Sequence, residues 1–108
     1  MIEKPIVWVG SARKDVRAFP KDARRLAGVQ LRLIQQGLDP SDWKSMPMIG
    51  VGVREIRIHT GLEHRVCYVA KFGEAVYVLH AFEKRTRNTS QHDVALARQR
   101  YQALIATR

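Results

Sequence analysis

Residues 53–82 read Val53-Arg54-Glu55-Ile56-Arg57-Ile58-His59, Thr60-Gly61-Leu62-Glu63, His64-Arg65-Val66-Cys67-Tyr68-Val69-Ala70-Lys71-Phe72, Gly73-Glu74, and Ala75-Val76-Tyr77-Val78-Leu79-His80-Ala81-Phe82. Three β-rich runs joined by segments short enough for hairpins predict an antiparallel meander. In the first run, period two sets Arg54, Ile56 and Ile58 against Val53, Glu55, Arg57 and His59, which turns the isoleucines to the core. Glu55, Arg57 and His59 then line the open face. In the second run Arg65, Cys67, Val69 and Lys71 alternate with Val66, Tyr68, Ala70 and Phe72. If the odd set faces the same way, Arg57, His59, Arg65 and Lys71 meet on one sheet surface. A two-layer antiparallel sheet ordinarily has a polar outer face; cations with one His and one Glu among them point beyond that to function.

Upstream, Pro5-Ile6-Val7-Trp8-Val9 reads as a strand ended by Gly10-Ser11. Ser11 is placed to cap a short helix carrying Ala12, Val16 and Phe19 on one face, which Pro20 stops or succeeds. Lys21 to Gln36 reads as a longer helix. Its buried stripe is expected at Ala23, Leu26, Ala27 and Ile34 with Leu33 at the edge, Lys21, Arg25 and Arg32 opposite, and Gly37 in the left-handed position that closes it. Residues 37–52 read as a long loop pinned by Trp43, Met46, Met48 and Ile49. Downstream of a basic turn, Glu83 to Asn88, Ser90 and Asp93 resemble the capping box of a last helix bearing Val94, Ala97, Tyr101 and Leu104. The pattern predicts an α+β class: an antiparallel meander sheet with an N-terminal helical pair and a C-terminal helix, in one domain spanning 1–108.

The chain of 108 residues carries 19 Lys plus Arg against 10 Asp plus Glu, a formal charge of +9, so a polyanionic partner is expected. Residues 1–36 hold 8 cations and 3 anions, residues 37–72 hold 5 and 4, and residues 73–108 hold 6 and 3, so the two ends are the more basic parts. Cys67 is the one cysteine, which excludes an internal disulfide and fits a reducing cytoplasm. The first apolar run is too short for a signal segment or a membrane span, so a soluble cytoplasmic protein is expected, with no membrane partner. No His-Glu-x-x-His pattern, carboxylate cluster or Gly-rich phosphate loop occurs, so neither a metal nor a cofactor is expected.

The turn Lys84-Arg85-Thr86-Arg87 adds three cations, with Asn88 and Thr89 as neutral donors, a composition suited to phosphate. The four histidines divide by context. His80, inside an apolar strand, reads as a hydrogen-bonded core residue, His64 as surface, and His92 as incidental in the first turn of a helix. His59 is the general acid or base candidate, with a pKa expected to be pushed down by the cationic face.

Trp8 with Ser11-Ala12-Arg13-Lys14-Asp15-Val16, Pro20 before the long helix, Gly50 through Ile58, His64-Arg65-Val66-Cys67-Tyr68 and Val78 through Thr86 occur in one order along nearly the whole chain. Together they resemble the RelE/ParE superfamily of type II toxin-antitoxin toxins, in particular its phage-derived HigB-like branch. The resemblance implies a RelE-like small α+β fold and an mRNA endoribonuclease (an mRNA interferase, a hydrolase in class) that needs no metal, usually works on the ribosome and inhibits translation. It also implies a cognate antitoxin as partner. ParE-like members instead poison gyrase without cutting, so a non-catalytic gyrase inhibitor or a basic RNA-binding module is the alternative. The family's basic positions fall on Arg57, Arg65, Lys84 and Arg85; His59 and Glu55, from their face, are the candidates for proton transfer, and Lys71 and Arg87 for further RNA contact. The branch usually continues after the basic pair with another Lys and a Thr-Pro pair, whereas this chain has Asn88, Thr89 and Ser90.

Overall fold

In a computed structural model, residues 3–108 are described. The elements run β1 (Ile6–Trp8), α1 (Ala12–Arg17), α2 (Lys21–Gln35), β2 (Trp43–Ser45), β3 (Val53–His59), β4 (Glu63–Val69), β5 (Val76–Glu83) and α3 (Gln91–Thr107). The strands form one sheet in the order β1-β5-β4-β3-β2. The meander of β3, β4 and β5 is antiparallel, as its alternation predicts. Two departures from the sequence reading matter. β1, read as a strand ahead of the helical pair, joins the far edge of the sheet parallel to β5, so the sheet is mixed and the helical pair is not N-terminal to all of its strands. The segment read as a loop contains β2, which pairs antiparallel with β3 and sets Lys44 opposite Glu55.

Helices cover both faces of the sheet. On one, α1 and α2 bury Ala12, Val16, Phe19, Ala23, Ala27, Leu31 and Ile34 against Ile56, Ile58, Val66, Tyr68, Val76 and Val78. Alanines at 23 and 27 bring the helix backbone close to the strands. The buried α2 stripe includes Leu31, whereas Leu26, expected inside, is 39% exposed. Gly37 closes α2 with φ 82°, a left-handed conformation natural to glycine. Ser11 precedes α1 without capping it through its side chain; its hydroxyl donates to Asp15 Oδ2 at 2.8 Å.

On the other face α3 packs Val94, Ala97, Tyr101 and Leu104 over Val53, Cys67, Val69, Tyr77 and Leu79, with Met46 and Ile49 filling the flank. The expected cap is present: Asp93 N–H donates to Ser90 Oγ at 3.1 Å, and the hydroxyl donates to Asp93 Oδ2 at 2.6 Å. Gly50 lets the Tyr101 ring in, since a Cβ there would lie 2.4 Å from ring carbons. A bulge breaks the β4–β5 ladder: Cys67 pairs with His80 while Tyr68 pairs with Val78, leaving Leu79 as the extra residue. Leu79 and His80 therefore both turn toward α3.

Candidate functional site

α3 covers only part of its face. Beyond it, where β3 and β4 run on toward their shared turn, a cavity of about 360 Å³ opens, lined by Lys44, Met46, Met48, Glu55, Arg57, Lys84, Arg87, Asn88, Thr89 and Val94. Glu55 lies at its floor and is 1% exposed. Thr89 Oγ1 donates to Glu55 Oε2 at 2.8 Å, and Arg65 Nε stands 3.6 Å from Oε1, an ion pair without a hydrogen bond. Cations reach the cavity from three places: Arg57 from β3, Lys44 from β2, and Lys84 and Arg87 from the turn after β5.

Lys84 reports their crowding. Partial burial, then the charge of Arg65, hold its ammonium below the usual lysine range; Glu55 opposes this, and Arg57 and Lys44 add to it. A lysine so perturbed gives up its proton more readily than an ordinary one.

The predicted site residues separate. Glu55, Arg57, Lys84 and Arg87 gather at the cavity. Arg65, expected on the open face, is instead 5% exposed beside Glu55, its Nη1 donating to the His64 carbonyl and its Nη2 paired with Glu63 at 3.0 Å. Arg85 points to solvent and pairs with Glu83. Lys71 does not join the group. It lies beyond the end of β4, packed by Gly52, with Nζ donating to Tyr101 Oη at 3.3 Å. Since Val53 pairs with Val69 and Arg57 with Arg65, Lys71 sits at the opposite end of the hairpin.

His59 is exposed at the tip of β3, its Nε2 2.7 Å from Asp42 Oδ2 and its Nδ1 2.7 Å from Glu63 Oε1. These carboxylates, Asp42 first, raise its pKa. The downward shift expected from a cationic face is corrected: Asp42 arrives from the segment before β2 and Glu63 is the β4 residue paired across the hairpin with His59, and neither lies on the alternation of β3. Glu63 is correspondingly held below the usual carboxylate range, by His59 and then Arg65.

His64, expected at the surface, is 2% exposed and packs on Phe19 with ring centroids 4.4 Å apart. His80 is buried, as its apolar strand suggests, with Nε2 2.7 Å from Asp93 Oδ1 and its ring stacked on Phe82. His92 is exposed. Burial, with Glu55 and Asp93 nearby, lifts the Cys67 thiol well above its ordinary value, so it is unsuited to nucleophilic chemistry. Sequence reasoning missed Lys44 and the apolar wall of Met46, Met48 and Val94. Lys44 carried no signal without β2, whose pairing sets it opposite Glu55.

Among the described residues no group of three or more His, Cys, Asp or Glu gathers as a metal ion would require, and no helix is long and apolar enough to cross a membrane. No curated protein matches the chain. Residues 14–102 match the family model of the Phage derived protein Gp49-like family (DUF891). The chain belongs to that family, which is part of the RelE/ParE-like toxin superfamily.

Proposed function

We propose that this Gp49-like chain is the toxin of a type II toxin-antitoxin system, of the HigB-like branch, and that it is a cytoplasmic mRNA endoribonuclease that blocks translation without a metal ion. The observation that carries this reading is a buried carboxylate, Glu55, at the floor of a cavity ringed by Lys44, Arg57, Lys84 and Arg87. Cutting RNA through its own 2′-hydroxyl needs a proton acceptor for that hydroxyl, positive charge around the crowded phosphate, and a proton donor for the departing 5′-oxygen.

Glu55 takes the 2′-proton, oriented by the Thr89 hydroxyl on its other oxygen. The 2′-oxygen then attacks phosphorus, the bond to the 5′-oxygen breaks, and Lys84 gives that oxygen a proton. The products are a 2′,3′-cyclic phosphate and a free 5′-hydroxyl. Arg57, Arg87 and Lys44 hold the phosphoryl oxygens, and Arg65 braces Glu55 from behind. His59, whose two ring nitrogens both face carboxylates, has no free lone pair to offer the 2′-hydroxyl and stands outside the proton path. An antitoxin that covers this basic mouth completes the system.

The test is a translating extract supplied with the purified chain. Message cut to 2′,3′-cyclic phosphate ends, with cutting lost in a folded Glu55→Gln variant, supports the proposal. Intact message together with inhibited gyrase supercoiling would replace it with the ParE-like reading.

A further inference from the structure

Five side chains form a row of alternating charge across the open end of β3 and β4. Arg57 Nη1 lies 3.8 Å from Asp42 Oδ1, and Asp42 Oδ2 lies 2.7 Å from His59 Nε2. His59 Nδ1 is 2.7 and 2.8 Å from the two Glu63 oxygens, and Glu63 Oε1 is 3.0 Å from Arg65 Nη2. Each carboxylate thus faces an arginine on one side and the same imidazole on the other. These are the charged groups that meet His59: Asp42 from the segment before β2, Glu63 and Arg65 from β4, and Arg57 from its own strand.

The two ring nitrogens make the row conditional on a proton. An imidazolium donates from both nitrogens and satisfies both carboxylates at once. A neutral ring has one donor and one lone pair, and a lone pair facing a carboxylate at 2.7 Å is repulsive. The Asp42 main chain cannot follow a change, because its carbonyl accepts from Arg57 N–H at 2.9 Å. The side chain can turn.

We infer that Asp42 and Glu63 are positioning residues which, tied together by doubly protonated His59, set where Arg57 and Arg65 hold their guanidinium groups. Loss of one proton from His59 frees at least one carboxylate to pull on its arginine. This rests on the cavity being the RNA site. Arg57 then becomes less available to phosphate, so RNA affinity falls as pH rises through the titration of His59. The row makes the site responsive to pH at a residue that touches no reacting atom.

The full chain, labelled with ¹⁵N, tests this by following the imidazole signals and the Nε–H signals of Arg57 and Arg65 across the histidine titration range. At least one of the two arginine signals is expected to shift with the midpoint of His59, and both to stay flat in His59→Gln. Asp42→Asn and Glu63→Gln are each expected to lower that midpoint, because both carboxylates support the imidazolium. A short labelled single-stranded RNA should lose affinity with the same midpoint in the native chain and not in His59→Gln. Arginine signals that ignore the His59 midpoint, or that follow pH unchanged in His59→Gln, overturn the inference even where RNA binds normally. Arginine signals that follow His59 in a chain that binds no RNA uphold the coupling and defeat the RNA reading.

Discussion

The two faces of the sheet are built from alternate residues of the same strands and end up unlike. Ile56, Ile58, Val66 and Tyr68 lie under two helices and form an apolar layer continuous along the strands. Val53, Cys67 and Val69 lie under one helix, and from Glu55 onward their face carries Glu55, Arg57, His59 and Arg65 beside a cavity walled by Met46, Met48, Val94 and the turn that leads to Thr89. A buried apolar side chain needs only to be sealed from water, whereas a buried carboxylate or guanidinium needs partners. The uncovered half therefore holds a network of ion pairs, and that network is what gives the face a chemistry. Stability should reside on the first face and activity on the second.

Substitutions can break that division. The largest expected effect is on the charged face: Glu55→Gln should lower the cleavage rate by about 10²- to 10⁴-fold, the usual worth of a positioned general base, measured with a fluorogenic RNA. A comparable loss in Ile56→Ala at equal folded fraction would show that the faces do not divide the labour. On the apolar face, Ile56→Ala should cost about 2–5 kcal/mol of unfolding free energy by urea titration, with the folded fraction still cutting RNA.

Smaller effects sharpen the boundary within the charged face. Arg57→Ala and Lys84→Ala should each flatten the salt dependence of RNA affinity by about 0.7 in the log-log slope, while Lys71→Ala leaves it unchanged. A slope change for Lys71→Ala would extend the site to the far end of the hairpin. The smallest effect concerns His59, whose folded pKa lies above its unfolded value. Its stabilisation is fully present below the unfolded pKa, near 6.5, and is lost as pH rises through the folded one. For a half-exposed group this is worth less than about 1 kcal/mol, and the difference in stability between the native chain and His59→Gln across that window measures it.

The meander was legible because β3 alternates cleanly and its ends fall at Gly52 and at the turn containing Gly61. Glu55, Arg57, Lys84 and Arg87 were nameable for the same reason: each lies on that alternation or in the basic turn after the last strand. β2 was not, since three residues between Pro40 and Pro47 are too few to show a period, and Lys44 was lost with it. β1 as a parallel edge also left no mark, because parallel pairing is decided by where the intervening helices carry the chain. His59 and His64 were misread for a related reason. Of the acids beside His59, Glu63 is its partner across the β3–β4 hairpin and Asp42 comes from the segment before β2; the second of these, like the cover of Phe19 over His64, is placed by tertiary structure.

The extra residue in β5 has a consequence for how the chain tolerates editing. Because Val78 and His80 already pair with consecutive residues of β4, excising Leu79 would leave each of those partners where it is and convert the bulge into an unbroken ladder. The same excision elsewhere in the strand would displace the residues on one side of it by one place and exchange inward for outward. Leu79 is thus the point in β5 where a lost codon spares the alignment. What it removes is a core side chain and the carbonyl that accepts from Arg100 Nη1 at 2.9 Å, one of the bonds by which α3 is tied down beside His80.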